Sequence, residues 1–256
     1  MPNSITLRKQ YSTMLDLVYK KSSLTSILDG PSELIREGAN ANEILIPKMS
    51  MQGLANYDKS SGYVNGDVTL DYETVKCDYD RGRKFNVDAM DNIESAGVAF
   101  GRLAGEFIRT QVVPELDAWR FSKYAQISGI TTAEGALNDG KAALAALRAA
   151  RNAIEDAEGD VSTCYLFINP ALVGMVEDLD TTASRRALEG WAGIVKVPSA
   201  RFYTKVDLTA NGAGGFAKNS DGKAINFMAI DRNAAIQYQK HTVPKIISPD
   251  QNQAAD

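Results

Sequence analysis

Hydrophobic and polar positions alternate from residue 68, after a plausible strand at 43–51 and a long loop at 52–66, and this pattern predicts that residues 43–79 form a long arm of two strands. The alternation is clearest over 68–72. Pro47, in the first strand, favours a sheet edge or a bend because it has no backbone donor. The apolar phase resets at Val75, so we expect a bulge just before that residue.

The predicted arm needs a surface to lie on, because an isolated two-stranded ribbon is only marginally stable in water. That surface belongs either to a neighbouring subunit or to the arm's own domain, and the pattern barely separates the two. In the loop at 52–66, Tyr57 and Tyr63 suit a contact between subunits because tyrosines pack and also form hydrogen bonds. Arg81 and Arg83, at the base of the arm, suit pairing with carboxylates of an adjoining subunit.

Apolar side chains recur at helical spacing over 100–127 and predict one very long helix. Asp88 or Asp91 can cap this helix, which would then have about 35 residues and span on the order of 50 Å. Phe107 and Trp119 belong to the apolar stripe and are expected to be buried. Pro114 lies inside the stripe, so the helix should kink or divide there.

The second half of the chain mixes helices and strands, which predicts an α+β fold. A helix is expected to begin at Asn138 or Asp139, and Asn169 and Pro170 suit the N-cap and first position of a short helix ending near residue 178. Strands are predicted at 162–168, 193–197, 201–208, 225–230 and 234–239.

The N-terminal segment is locally basic. Residues 5–19 have the spacing of a short amphipathic helix, and four basic residues lie in or beside it: Arg8, Lys9, Lys20 and Lys21. One interpretation is a solvated helix face. The other is an arm that contacts a partner, nucleic acid or the lumen of an assembly.

Composition excludes several classes of protein. The net charge of −4 gives no electrostatic case for nucleic-acid binding over the whole surface. No window approaches the ~18 apolar residues of a membrane span, and the N-terminus lacks the features of a secretory signal. Cys77 and Cys164 are the only cysteines, which fits reduced intracellular thiols. His241 is the only histidine, so histidine-rich metal sites are excluded.

The motifs of common enzymes are missing. There is no phosphate-binding loop, no nucleophile elbow and no CxxC pair. Residues 212–217 fit GxGxxA, but a turn rather than a helix is expected after them, which argues against a dinucleotide site. Glu177, Asp178 and Asp180 are read as a solvated helix end, and His241 as a structural or exposed residue. We therefore predict no catalytic residues, no cofactor and no metal.

Seven segments together resemble the major capsid protein of tailed bacteriophages, which has the coat-protein fold of Hong Kong 97 type. Their order and spacing carry the resemblance, which extends over most of the chain because the segments are distributed from residue 57 to residue 245. They are YDKSSGY at 57–63, VTL at 68–70, DRGRKF at 80–85, VPELDAWRFS at 113–122, NP at 169–170, VPSARFY at 197–203 and HTVPK at 241–245.

The resemblance implies four regions of the fold. These are an N-terminal arm (1–42), an extended hairpin loop (43–79), a peripheral domain with the long spine helix (80–130 and 225–256) and an axial domain (131–224). Relatives usually continue with another aromatic and basic strand segment where this sequence stops, which puts the closing strand of the peripheral domain in doubt.

The resemblance also implies a function and partners. Such subunits self-assemble as hexamers and pentamers into an icosahedral shell that encloses double-stranded DNA. The implied location is the virion capsid, assembled in the host cytoplasm, with a scaffolding protein, a portal and a decoration protein as further partners and no membrane. Contacts between subunits would include the loop residues Tyr57, Asp58, Lys59 and Tyr63. Lys59 is the loop lysine that would be the candidate for a covalent crosslink.

Two alternatives remain open. An encapsulin-type compartment has the same fold but packages enzymes rather than DNA. A soluble α+β enzyme is the alternative from another class, and the missing site chemistry argues against it.

Overall fold

The computed structural model describes residues 23–30, 36–37, 43–57, 59–60, 62–85, 98–209, 214–235 and 237–238. The chain forms two compact units, Pro31–Asn86 and the combination of Met1–Gly30 with Val87–Asp256. Each unit contains at least one sheet of two or three strands. The fold is mixed α+β, as predicted. The expected helix at 5–19 and the HTVPK segment lie outside the described residues.

The smaller unit contains an antiparallel sheet of three strands, β1 (Arg36–Glu37), β2 (Glu43–Met51) and β3 (Val68–Lys76), in that order. The predicted pairing of β2 with β3 is confirmed. The predicted bulge is wrong, because the register runs unbroken from Met51 opposite Val68 to Glu43 opposite Lys76. Every residue of β3 is exposed.

The described part of the larger unit begins at residue 23 and contains a 3-10 turn at Ser26–Leu28, and the long helix follows the smaller unit along the chain. After the long helix, its elements run along the chain as α3 (Gly140–Asp156), β4 (Cys164–Ile168), α4 (Pro170–Glu177), α5 (Thr182–Leu188), β5 (Gly193–Lys196), β6 (Val206–Leu208), β7 (Phe216–Lys218) and β8 (Phe227–Asp231).

The long helix changes its winding just before Pro114. It consists of α1 (Val98–Phe107), a π-helical segment (Ile108–Val112) and α2 (Val113–Ala125). Proline removes one backbone donor and crowds the carbonyl four residues earlier, and the wider π turn relieves both problems. The described part of the helix contains no break, so the expected disturbance at Pro114 takes the form of a change in winding.

The π segment shifts the buried face of the helix by about one position. Phe107 and Trp119, which were expected to be buried, are only partly buried. The buried line through α2 is instead Val113, Asp117 and Phe121, each at most 1% exposed. A π turn adds one residue without adding a turn, which explains the shift.

Strand β4 is the centre of the larger unit. It pairs in parallel with β5 and antiparallel with β8. Cys164, Leu166 and Ile168 face a cluster formed with α3 and α4, whereas Phe167 faces Phe121 of α2, with ring centroids 5.2 Å apart. The sheet therefore lies between two helical layers, with a hydrophobic core on each side. Because β8 pairs with β4, segments assigned by the resemblance to the peripheral and axial domains share this sheet.

The predicted helix starts are confirmed by their capping bonds. The Asp139 carboxylate accepts a hydrogen bond from Ala142 N, and the Asn169 side chain accepts one from Ala171 N. Helix α5 was missed, and the strand expected at 234–239 is wrong, since its described residues form a turn and one isolated bridge.

Gly140 allows the start of α3 to approach α4 closely. A Cβ atom at this position would lie 2.2 Å from the carbonyl oxygen of Met175. We expect Gly140→Ala to force the helices apart and destabilise the protein by about 1–3 kcal/mol. This corresponds to a loss of several degrees in Tm, measurable by calorimetry.

Gly174→Ala is the matched control. Gly174 lies inside α4, and a Cβ atom there would have nothing within 4 Å. Alanine is the better helix former by about 0.5–1 kcal/mol, so Tm should stay constant or rise. Equal losses in both variants would contradict the close approach at Gly140.

Candidate functional site: the exposed face of the hairpin

The register of β2 and β3 gives their hairpin two chemically different faces. Residues opposite each other in an antiparallel pair share a face, and alternate pairs lie on opposite faces. One face carries four successive pairs that are mainly apolar: Leu45 with Thr74, Pro47 with Tyr72, Met49 with Leu70 and Met51 with Val68. We call these eight residues the apolar face.

The outer half of the apolar face is exposed to solvent. The exposed fractions are 59% for Met49, 69% for Met51, 66% for Val68, 53% for Leu70 and 43% for Tyr72. Soluble monomers rarely keep a contiguous apolar patch of this kind, and such patches usually mark an interaction surface. The sequence contained the signal, since the alternation itself determines the face, but only the register shows that both strands contribute to it.

The opposite face is polar towards the hairpin tip. Its pairs there are Ser50 with Thr69 and Lys48 with Asp71. Lys48 Nζ also lies 3.9 Å from a carboxylate oxygen of Glu73, and both side chains are largely exposed. A pair so exposed contributes at most ~1 kcal/mol to stability. The hairpin is thus amphipathic rather than polar on both faces.

The tip of the hairpin brings together two of the predicted contact residues. The rings of Tyr57 and Tyr63 have centroids 5.0 Å apart at an angle of 51°, and their side chains are 61% and 87% exposed. Gly62, between them, has φ of +80°, which an L-residue with a side chain rarely adopts. Lys59 is exposed in the same turn, and Asp58 lies outside the described residues.

Arg81 and Arg83 do not join the tip. They follow Lys76, at the opposite end of the hairpin, and lie in exposed irregular chain. The basic residues Arg8, Lys9, Lys20 and Lys21 lie outside the described residues. Of the predicted contact residues, Tyr57, Lys59 and Tyr63 therefore lie at the tip of the hairpin, and Arg81 and Arg83 follow its base.

Other chemistry is sparse in the part of the chain that the structure describes. No group of three or more His, Cys, Asp or Glu side chains there could hold a metal ion, and none of the helices there could cross a membrane. Glu177, Asp178 and Asp180 are exposed at the end of α4, and Asp180 forms an ion pair with Arg185. In the GxGxxA segment, β7 begins at Phe216, where a dinucleotide site would need a helix.

No family model, no curated protein and no solved structure matches this chain in the three comparisons with known proteins.

The two cysteines differ in their surroundings. Cys164 is 3% exposed in β4, and its burial, together with the nearby charge of Asp231, raises the pKa of its thiol. Cys77 is partly exposed just after β3. A raised pKa leaves less of the reactive thiolate at any given pH.

We therefore expect iodoacetamide at pH 8 to alkylate Cys77 well before Cys164 in the native protein, as followed by peptide mass spectrometry. In denaturant, where both thiols are exposed, the rates should converge. Equal rates in the native protein would show that Cys164 is accessible.

Proposed function

We propose that this chain is a structural subunit that assembles with copies of itself into a closed shell, as the major capsid protein of a tailed bacteriophage does. The observation that carries the proposal is the exposed apolar face of the hairpin. The resemblance of the seven sequence segments to these capsid proteins supports it. The proposed partners are neighbouring subunits in hexamers and pentamers, with double-stranded DNA as the packaged content.

The energetics of the apolar face suit repeated self-association. Full burial of a large apolar side chain contributes about 1.5–3 kcal/mol. The five exposed side chains of the outer apolar face are 43–69% exposed, so each would add on the order of 1 kcal/mol when covered. Such a contact is modest for one pair of subunits but is repeated around every ring of a shell.

The hairpin is already ordered in the single subunit, which favours association. Nine successive residue pairs connect β2 and β3, and β1 pairs with β2 along its other edge. Binding therefore does not need to order the strands, and less of the contact energy is lost to conformational entropy. The tyrosine pair at the tip adds side chains that pack on apolar and polar surfaces alike.

The proposal gives the chain a mechanical role and no catalytic one. Scaffolding, portal and decoration proteins, and a location in the virion capsid after assembly in the host cytoplasm, belong to the same proposal. The alternative is an encapsulin-type compartment, which is also a closed shell of the capsid-protein fold. The content of purified shells distinguishes this compartment from a phage capsid. Protected double-stranded DNA would favour the capsid, and a packaged enzyme would favour the compartment.

Introducing the same charged pair on either face of the hairpin tests the proposal directly. We expect Met49→Lys with Leu70→Glu to abolish shells, because charges replace the apolar contact. Ser50→Lys with Thr69→Glu places the same side chains on the adjacent pair of the opposite face. Both variants gain a possible cross-strand ion pair, so hairpin stability is matched.

Negative-stain microscopy and sedimentation of each variant give the result. The apolar-face variant should remain dispersed with normal circular dichroism, and the polar-face control should form shells. Shells from both variants would refute the role of the apolar face. A wild-type protein that never assembles under any condition would refute the proposed function itself.

Shortening the tip separates the role of the tyrosines from that of the strands. Met51 and Val68 are paired, so replacing residues 52–67 by Asn-Gly should close the hairpin with a two-residue turn. We expect a folded subunit that assembles less completely, because the tyrosine contact is lost while the apolar face remains. Unchanged shell yield by sedimentation would show that the tip contributes no contact.

A further inference from the structure

Residues 23–30, which we call the strap, are held on the larger unit by a buried polar cluster. Thr25 and Leu28 have no solvent exposure, and Ser23 is 8% exposed. Leu28 packs into the core cluster that contains Phe121 and Phe167. The strap forms only a 3-10 turn and one isolated bridge, from Asp29 to Gln237, so it is not a strand of any sheet.

Asp117 is the centre of the cluster. Its carboxylate, fully buried on α2, accepts hydrogen bonds from Ser23 Oγ at 2.8 Å, Thr25 Oγ1 at 2.7 Å, Leu24 N at 3.0 Å and Thr25 N at 3.3 Å. All four donors belong to the strap. Arg201 lies 3.7 Å away and supplies a positive charge from the body of the unit. Burying a carboxylate without such partners is costly in folding free energy. The strap is therefore favoured in the one position in which its four donors reach Asp117.

Two further residues outside the strap, Arg120 and Gln237, form hydrogen bonds with it. Arg120 of α2 donates to Thr25 Oγ1 at 2.9 Å and lies 3.6 Å from a carboxylate oxygen of Asp29. Gln237 donates to the carbonyl oxygen of Thr25 at 3.1 Å, and its own carbonyl oxygen accepts from Gly30 N at 3.2 Å. The contact thus combines these polar and charged groups with an apolar part, in which Leu28 is fully buried and Leu24 and Ile27 are partly buried against the same core cluster.

On its C-terminal side, the strap is joined to the rest of the larger unit only through the smaller unit. The chain leaves it at residue 31, builds the smaller unit, and returns to the larger unit only at residue 87. Among the described residues, lifting the strap would break no α-helix and no sheet ladder, and it would remove Leu24, Ile27 and Leu28 from the core cluster. It would expose Arg120 and the pair of Asp117 and Arg201 to water, which solvates charged groups well.

We propose that the strap undocks and redocks as one element while the rest of the larger unit stays folded, and that Asp117 is the positioning residue that sets its docked register. Local opening of this kind has a lower free energy than global unfolding and is visible in hydrogen exchange. The proposal concerns a single subunit and does not depend on shell assembly.

Hydrogen exchange followed by mass spectrometry on the full chain tests this. In the wild type, amides of 23–30 should exchange faster than those of β4, whose loss of protection requires opening of the central sheet. Asp117→Asn should accelerate exchange of the strap about ten-fold or more and leave β4 unchanged, because a hydrogen bond to a charged acceptor is lost. Turning the asparagine amide over cannot restore both backbone hydrogen bonds. One Asp117 oxygen accepts from Leu24 N and the other from Thr25 N, and the NH2 group that replaces either oxygen cannot accept.

Two more variants keep the test decisive. Thr25→Val removes the hydroxyl that bridges Asp117 and Arg120, retains the shape of the side chain, and should accelerate the strap in the same way. Ser122→Ala is the control, because it removes a buried hydroxyl on the same helix that donates only to Trp119 O. The strap should be unaffected in that variant.

Three outcomes would overturn the proposal. Equal exchange of the strap and β4 in the wild type would make the strap an integral part of the core. Parallel acceleration of both segments in Asp117→Asn and Thr25→Val would show general destabilisation. Unchanged strap exchange in both variants would show that Asp117 does not position it.

Discussion

The way in which the long helix accommodates Pro114 determines the packing of the larger unit. A proline in a regular α-helix would leave a carbonyl without its donor and clash with the preceding turn. The π segment immediately before it removes the conflict and rotates everything downstream by about one residue. Because of that rotation, Phe121 rather than Trp119 reaches the aromatic cluster, and Asp117 faces inwards. The aromatic core around Phe121 and the binding of the strap by Asp117 therefore both depend on one local change in the winding of the helix.

Local chemistry made much of this fold predictable. The helix starts at Asp139 and Asn169 depend on caps whose donors lie two or three residues away, and β4 depends on a continuous apolar run. Helix α5 was hidden because its seven residues contain too few apolar positions for a helical period. The π segment was hidden because periodicity analysis assumes a constant number of residues per turn.

The strap cluster could not be predicted from the sequence, for a different reason. Asp117 and its donors are separated by more than 90 residues, and nothing in the sequence near either end indicates the other. An aspartate within an amphipathic helix is expected on the solvated side, so its burial contradicts the average rule. The hairpin was predictable only in part. The alternation of apolar and polar residues predicted its strands, but which residues share a face depends on the register between the strands.

The thioethers of Met49 and Met51 give the hairpin a chemical vulnerability. Both stand in the exposed part of the apolar face, where an oxidant can reach them before any neighbour does. Conversion to the sulfoxide makes a flexible apolar side chain polar, and it would erase much of the patch without altering the backbone. For the proposed assembly, oxidation of these two residues before association would therefore weaken the contact while leaving the fold of the chain intact.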